Sequence, residues 1–224
     1  MSESNISNQK SETSNLKSEI SDSTGSFAAL VASGSPTPGG GSVAAYCGVL
    51  AAALGRMVCN LTAGKKKYEQ VESRVREIEA EFERLANRLS ELIDEDAASF
   101  TAVMQAYRLP KDSDEQKTER NCQIEAAARG AISVPIETAR SSVEVLKLLK
   151  ELGEIGNANA FSDVTVGSQL ARTAVKGAYY NVGVNLSLLP EEEAQNIRRQ
   201  ILDIVSEAET IAGEIEADML ARMQ

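Results

Sequence analysis

The sequence contains no histidine and no tryptophan, and aromatic residues make up only 4% of its 224 residues. Without histidine, the chain lacks the commonest zinc ligand and the commonest acid–base group near neutral pH. We therefore expect no metal site, and any proton transfer would have to use carboxylates. Because aromatic residues are so few, alanine and leucine must fill the core, which favours closely packed helices.

Cysteine is also scarce, with Cys47, Cys59 and Cys122 the three in the chain. Their spacing contains no CxxC pair, which argues against both a disulfide framework and a metal site. This pattern is typical of reduced thiols and predicts a cytoplasmic protein.

Basic residues are outnumbered, since 23 lysines and arginines face 33 acidic residues and give a formal net charge of −10. This balance argues against a nucleic-acid partner, which would require a basic surface. It still permits a local basic pocket for a small anion. The longest apolar run, 43–61, is interrupted by glycine and by Arg56, so we expect no membrane span and no membrane partner.

Hydrophobic residues are unevenly distributed along the chain. Residues 1–25 are rich in Ser, Asn, Glu and Lys and have little apolar surface, which predicts a disordered tail. The remaining residues, 26–224, contain enough apolar residues for one folded body.

Helical periodicity dominates that body, and no segment alternates like a strand for long. We predict an all-α fold, a multi-helix bundle with long helices. The expected helices are Phe27–Ala32, Ser42–Thr62, Tyr68–Tyr107, Ser162–Leu189 and a last helix after Pro190, with Ser42 as the N-cap of the second. Between Tyr107 and Ser162, a further helix should begin at a capping box at Ser113 and end at Gly153, with a kink or a break at Pro135.

A heptad-like apolar stripe in the second long helix leads to a carboxylate. The stripe consists of Val71, Val75, Ile78, Phe82, Leu85, Leu89 and Leu92. Its next position is Asp96. Such a residue is either a core aspartate bonded to a neighbouring helix or a carboxylate with a shifted pKa that faces a pocket.

Two further polar groups interrupt apolar segments. Asn157 and Asp163 belong to the segment "NANAFSD", where Asp163 would also suit the first turn of a helix. Asn181 and Asn185 share one helical face. Their amides would either bond buried backbone groups or hold the polar edge of a ring.

Basic and glycine-rich segments offer candidate anion contacts. Lys65, Lys66 and Lys67 follow a predicted helix end, where they form either a solvated turn or a clamp for substrate carboxylates. Gly39, Gly40 and Gly41 allow positive φ and close backbone approach before the helix that Ser42 begins. The spacing is not that of a nucleotide-binding P-loop.

In order along the chain, several of these motifs resemble the cyclodeaminase/cyclohydrolase family of folate one-carbon metabolism. The similar segments are "SGSPTPGGGSVAA", "NLTAGKKKY", "DEDAASF", "LPK", "VPIETA", "GNANAFSDVTVG" and "GAYYNVGVNL". The resemblance covers the chain from about Phe27 onward. It implies an all-helical homodimer with folate sites at or near the subunit contact, and no metal or other cofactor.

The resemblance implies a methenyltetrahydrofolate cyclohydrolase, with formiminotetrahydrofolate cyclodeaminase as the alternative. The absence of a formiminotransferase domain from this sequence favours the first. On this hypothesis Asp96 is the acid–base carboxylate and Asp163 orients the pterin or water. One of the three lysines holds the glutamyl tail, and the backbone of 39–42 lies against the ligand, with Asn157 and Asn181 as further contacts. A helical scaffold and a folate-binding protein without turnover are the alternatives from other classes.

Overall fold

The computed structural model describes residues 25–224, in two units that are considered separately. The first unit is described over 25–39. Residues 25–32 form a helix, α1, which confirms the helix predicted at Phe27–Ala32. The tail predicted for 1–25 lies outside the described residues, except for Gly25.

The second unit, 40–224, contains five long helices. These are α2 (Gly40–Thr62), α3 (Glu72–Tyr107), α4 (Asp114–Ile155), α5 (Phe161–Asn185) and α6 (Glu191–Arg222). Short 3₁₀ helices at Lys66–Val71, Ala158–Ala160 and Leu186–Leu188 join them. The described residues contain no strand, which confirms the predicted all-α class.

Helix α2 packs closely against its neighbours because small residues line its buried positions. A β-carbon on Gly48 would lie 3.0 Å from Leu89 of α3 and 3.0 Å from Ser142 of α4. At Gly55 a β-carbon would overlap the ring of Phe82. The helix begins at Gly40 rather than at Ser42, so the predicted N-cap role of Ser42 is wrong. After its last turn, Gly64 adopts a left-handed φ of 74°, as expected for a helix end.

Six of the seven residues of the predicted stripe lie on α3 and form part of the bundle core, while Val71 belongs to the preceding 3₁₀ helix. Residues Val75, Ile78, Phe82, Leu85, Leu89 and Leu92 are all essentially inaccessible to solvent. The seam faces α2 and α4, the two helices that α3 contacts most. Because apolar burial is the main favourable contribution to folding, this periodic stripe fixes the rotation of α3 about its axis.

Helix α4 begins at the predicted capping box, in which Ser113 and Gln116 bond each other's backbone N–H groups. Of the two outcomes predicted at Pro135, a kink or a break, the break is wrong, because one continuous helix contains this buried proline. The predicted end at Gly153 is also too early by one turn or less, since the helix continues to Ile155. Packing of α4 against α3, α5 and α6 outweighs the hydrogen bond that proline removes.

By length and composition, α2 is apolar enough to cross a membrane, although half of its most apolar window is buried inside the protein. The expectation of no membrane span therefore stays a prediction. Core helices of soluble proteins pass the same test.

Candidate functional site

Asp96 of α3 lies against the N-terminus of α2. The Ser42 hydroxyl donates a 2.9 Å hydrogen bond to Asp96 Oδ2, and it also lies 3.1 Å from the carbonyl oxygen of Ile93. A β-carbon on Gly41 would overlap the Asp96 carboxylate, so only glycine leaves this space free. The helix N-terminus stabilises the negative charge, because its free N–H groups and its dipole favour an anion.

Burial raises the pKa of the Asp96 carboxyl above its usual value, and hydrogen bonds from the Ser42 side chain and backbone partly offset this rise. The side chain is half-buried. The first interpretation made from the sequence is confirmed, since Asp96 is hydrogen-bonded to a neighbouring helix. The shifted pKa agrees with the second interpretation, whose pocket stays a prediction. A carboxyl with a raised pKa is suited to both accepting and donating a proton nearer to neutral pH.

Asn181 of α5 completes this end of α2. A β-carbon on Gly40 would lie 3.7 Å from Asn181 Nδ2, which is ordinary van der Waals contact. The same amide donates to the Gly177 carbonyl within α5, so its Oδ1 remains available as an acceptor. We call Gly40, Gly41, Ser42, Asp96 and Asn181 the carboxylate cluster.

Close approach, and not positive φ, accounts for Gly39 and Gly41 of the glycine triplet, whereas a β-carbon on Gly40 would make only ordinary contact. Among the described residues, only Gly34 and Gly64 have positive φ, which corrects the expectation for Gly39, Gly40 and Gly41. Gly39 belongs to the first unit, where a β-carbon on it would lie 3.3 Å from the Pro36 carbonyl oxygen.

The opposite end of α2 is held by Asn157. Its backbone N–H donates to Thr62 Oγ1 at 2.9 Å, and its Nδ2 donates to the Leu61 carbonyl at 3.0 Å. Its Oδ1 accepts from the Asn159 N–H at 3.2 Å. Asn157 thus stabilises the C-terminus of α2 through its own bonds, and its contact with a substrate stays a prediction.

The lysine triplet lies at this same end and is exposed. Lys65 and Lys66 line an open cavity of about 400 Å³ with Gly64, Glu69 and Glu72. Lys67 lies over the Tyr68 ring, 5.2 Å from its centroid. Sequence reasoning missed Tyr68, whose hydroxyl accepts a 3.2 Å hydrogen bond from the Ala158 N–H that lowers the pKa of this phenol. Its position directly after the lysines was the available signal.

Asp163 is half-buried in the first turn of α5, close in sequence to Asn157. We call Lys65, Lys66, Lys67 and Asn157 the lysine cluster, and Asp163 follows Asn157 in the chain at the start of α5. Helices α2 and α5 run antiparallel, because Gly40 faces Asn181 at one end and Leu61 bonds Asn157 at the other. From Asp163 to Asn181 is 18 residues of helix, or about 27 Å. One chain therefore does not bring Asp96 and Asp163 together.

Within residues 25–224, no group of three or more Cys, Asp or Glu side chains is positioned to hold a metal ion. Cys47, Cys59 and Cys122 are all free thiols, as expected. Burial raises the pKa of Cys59 to about 12, so this thiol is unreactive near neutral pH.

Comparisons with known proteins agree on one family. The family model described as "Formiminotransferase-cyclodeaminase" matches residues 23–203. A methenyltetrahydrofolate cyclohydrolase from Methylorubrum extorquens is 40% identical over 179 residues, which are 80% of this chain and 86% of the relative. The formimidoyltransferase-cyclodeaminase of Rattus norvegicus is 33% identical over 199 residues, 88% of this chain but only 37% of that longer protein.

The crystal structure of a formiminotetrahydrofolate cyclodeaminase from Thermotoga maritima has the same fold. It superposes with a TM-score of 0.80 at 29% identity, covering 88% of this chain and 96% of that one.

Proposed function

Because the chain belongs to the formiminotransferase-cyclodeaminase family, we propose that it is a methenyltetrahydrofolate cyclohydrolase, which converts 5,10-methenyltetrahydrofolate and water to 10-formyltetrahydrofolate. The observation that carries the proposal is the half-buried Asp96 carboxyl at the N-terminus of α2. Its raised pKa and its fixed position suit a group that must take and return a proton.

The reaction needs few groups. Water attacks the cationic carbon between N5 and N10, and Asp96 accepts one proton from that water. The bond from this carbon to N5 then breaks, its electron pair stays on N5, and Asp96 returns its proton there. The hydroxyl of the adduct loses its proton to solvent as the formyl C=O forms, which balances the positive charge of the substrate. A carboxylate also stabilises the cationic substrate.

Cyclodeamination of 5-formiminotetrahydrofolate is the second candidate, favoured by the fold shared with the cyclodeaminase from Thermotoga maritima. In that reaction N10 attacks the formimino carbon and Asp96 takes the N10 proton. The formimino nitrogen is already protonated when N10 attacks, and Asp96 then returns the N10 proton to the resulting amino group, which departs as ammonia and leaves the cationic 5,10-methenyl product. The same carboxyl thus serves both reactions.

The second cluster would bind the other end of the folate. Lys65, Lys66 or Lys67 would hold the glutamyl carboxylates beside the open cavity at the end of α2. Asp163 and Asn157 would orient the ligand there. In the carboxylate cluster, the backbone of Gly40 and Gly41 and the free oxygen of Asn181 would contact the pterin.

A homodimer would allow the two clusters to contact one substrate. They lie at opposite ends of α2, about 30 Å apart, so one pterin cannot contact both within one chain. A second copy packed antiparallel along α2 would bring the lysine cluster of one subunit beside the carboxylate cluster of the other. Both α2 and α5 carry exposed apolar side chains for such a contact, including Leu50, Met57 and Leu61 on α2 and Val166, Tyr180 and Val184 on α5.

The remaining properties belong to the same proposal. The enzyme would work in the cytoplasm, where its three thiols stay reduced. It would use no metal or other cofactor, because the substrate itself supplies the electrophilic carbon. Its partners would be folate and its own second copy, without a nucleic acid or a membrane.

The test follows the absorbance of 5,10-methenyltetrahydrofolate near neutral pH with and without the protein. Decay above the spontaneous rate supports the cyclohydrolase. Release of ammonia from 5-formiminotetrahydrofolate by the same preparation would assign the cyclodeaminase instead. Binding of either folate without conversion would indicate a binding protein, and no binding would indicate a helical scaffold.

A further inference from the structure

The proposed function requires Asp96 to be stable in two protonation states, and the inference below rests on that function. A half-buried carboxylate needs donors when it is ionised. The protonated carboxyl needs an acceptor for its own O–H. If hydrogen bonds stabilised only one protonation state of Asp96, proton transfer into the other state would be hindered.

The Ser42 side chain has two acceptors within reach and only one proton to donate. Its oxygen lies 2.9 Å from Asp96 Oδ2 and 3.1 Å from the Ile93 carbonyl. Both acceptors are on α3, so the hydroxyl links two helices. Ser42 is 0% exposed, and therefore water does not compete for this hydrogen bond.

This geometry differs from that of other buried hydroxyls in the bundle. Ser142 is equally buried, but its hydroxyl bonds the Thr138 carbonyl four residues earlier in its own helix, at 2.7 Å. Thr62 bonds the Val58 carbonyl in the same way. Neither of these hydroxyls bonds a titratable group. The position of Ser42 in the first turn of α2 directs its hydroxyl to the neighbouring helix instead.

We infer that Ser42 is a positioning residue whose hydroxyl follows the proton on Asp96. When the carboxylate is ionised, Ser42 donates to Oδ2. When Asp96 has taken a proton, its O–H donates to Ser42 Oγ, and Ser42 turns its own proton to the Ile93 carbonyl. Each state is then fully hydrogen-bonded, and rotation of one O–H bond connects them.

The charged side chains near Asp96 on α3 are paired with another side chain or exposed, which leaves Ser42 to bond both protonation states of the carboxyl. On α3, the neighbouring Glu95 is held by Arg88, and Asp94 is exposed. On α4, Glu137 and Arg140 line a separate cleft with Arg88 and Glu95.

The titratable groups nearest to Asp96 on α2 and α5 are phenols, followed by Cys47 on α2 and Lys176 on α5. The first two turns of α2 contain one, Tyr46, and residues 177–185 of α5 contain two, Tyr179 and Tyr180. Burial raises the pKa of Asp96, and the hydrogen bonds from the Ser42 side chain and backbone lower it.

The test is Ser42→Ala, with Ser142→Ala as the matched control because it removes a hydroxyl of equal burial that bonds only its own helix. Loss of a hydrogen bond to the ionised form should raise the pKa of Asp96. We expect the acidic limb of the pH–rate profile to move up by about one pH unit, so that kcat at a fixed pH on that limb falls about tenfold. Ser142→Ala should leave the profile in place.

A second measurement does not depend on turnover. The side-chain ¹³C carboxyl resonance of Asp96, assigned by its loss in Asp96→Asn, should titrate about one unit higher in Ser42→Ala than in the wild type. In Ser42→Thr, which keeps a hydroxyl, the Asp96 resonance should titrate as in the wild type. An unchanged titration in a folded Ser42→Ala protein would overturn the inference. If the wild type converts no folate, the proposed function fails, but the titration still decides the role of Ser42.

Discussion

The Asp96 carboxylate occupies the space where a β-carbon on Gly41 would lie. Oδ2 would be 2.7 Å from that atom and Oδ1 closer still. The contact joins α3 to the first turn of α2, and it places the carboxylate over the backbone N–H groups that favour an anion. The glycine at this position is therefore a requirement of the site.

Gly41→Ala should displace the Asp96 carboxylate. A shift of the order of 1 Å in a catalytic group lowers the rate by about 10²-fold, and we expect kcat to fall by that factor. The matched control is Gly55→Ala, also on α2, whose added methyl group would meet the Phe82 ring far from Asp96. This control should lower the melting temperature while kcat of the folded fraction stays near the wild-type value. Equal kcat losses in the two variants would contradict the prediction.

Asp96→Asn should abolish turnover without unfolding the protein. The amide keeps the shape of the side chain and can still accept from Ser42, but it cannot take a proton from water. Loss of a general acid–base group lowers the rate by about 10²- to 10⁴-fold. Steady-state kinetics on 5,10-methenyltetrahydrofolate would measure this loss, with circular dichroism to confirm the fold. A rate near that of the wild type would refute the assigned role.

The same variant tests the burial of Asp96 through the pH dependence of stability. Because burial raises the pKa of this carboxyl in the folded state, the folded chain holds the proton to higher pH than the unfolded chain. Ionisation of Asp96 therefore lowers stability as pH rises from the unfolded pKa through the folded pKa. In the Asp96→Asn variant, the melting temperature should not fall over this pH interval through ionisation at position 96. Parallel pH curves for the two proteins would show that the carboxyl is not desolvated.

Local and periodic features could be read from the sequence. The stripe on α3 was predictable because burial follows helical period, and the Ser113–Gln116 capping box because its bonds span three residues. The sequence could not decide whether Pro135 breaks its helix, since the packing that keeps the helix continuous comes from distant segments. The sequence also could not show that α5 runs antiparallel to α2, and that direction separates Asp163 from Asp96.

Removing the three lysines should weaken binding of the glutamyl tail. In the triple variant Lys65→Ala, Lys66→Ala and Lys67→Ala, we expect KM for a polyglutamylated substrate to rise about tenfold. The reason is that each exposed ion pair contributes roughly 0.5 kcal/mol to binding, and three such pairs are lost. KM for the monoglutamate should rise less, and kcat should change little. Lys117→Ala, another exposed lysine on a different segment, is the control. An equal KM change for both substrates would contradict a tail-binding role.

Mixing two variants that are each nearly inactive, at a concentration of polyglutamylated substrate far below KM, tests whether one site uses two chains. Asp96→Asn lacks the carboxylate and keeps its lysines, whereas a charge-reversed variant with glutamate at 65, 66 and 67 keeps Asp96. In a hybrid dimer with shared sites, one site would contain the intact Asp96 of one subunit and the intact lysines of the other. Random exchange makes about half of the dimers hybrid, each with one of two sites restored, so about a quarter of the wild-type activity on polyglutamylated substrate should return. If each site is built from one chain, the mixture should show only the average of its two inactive components.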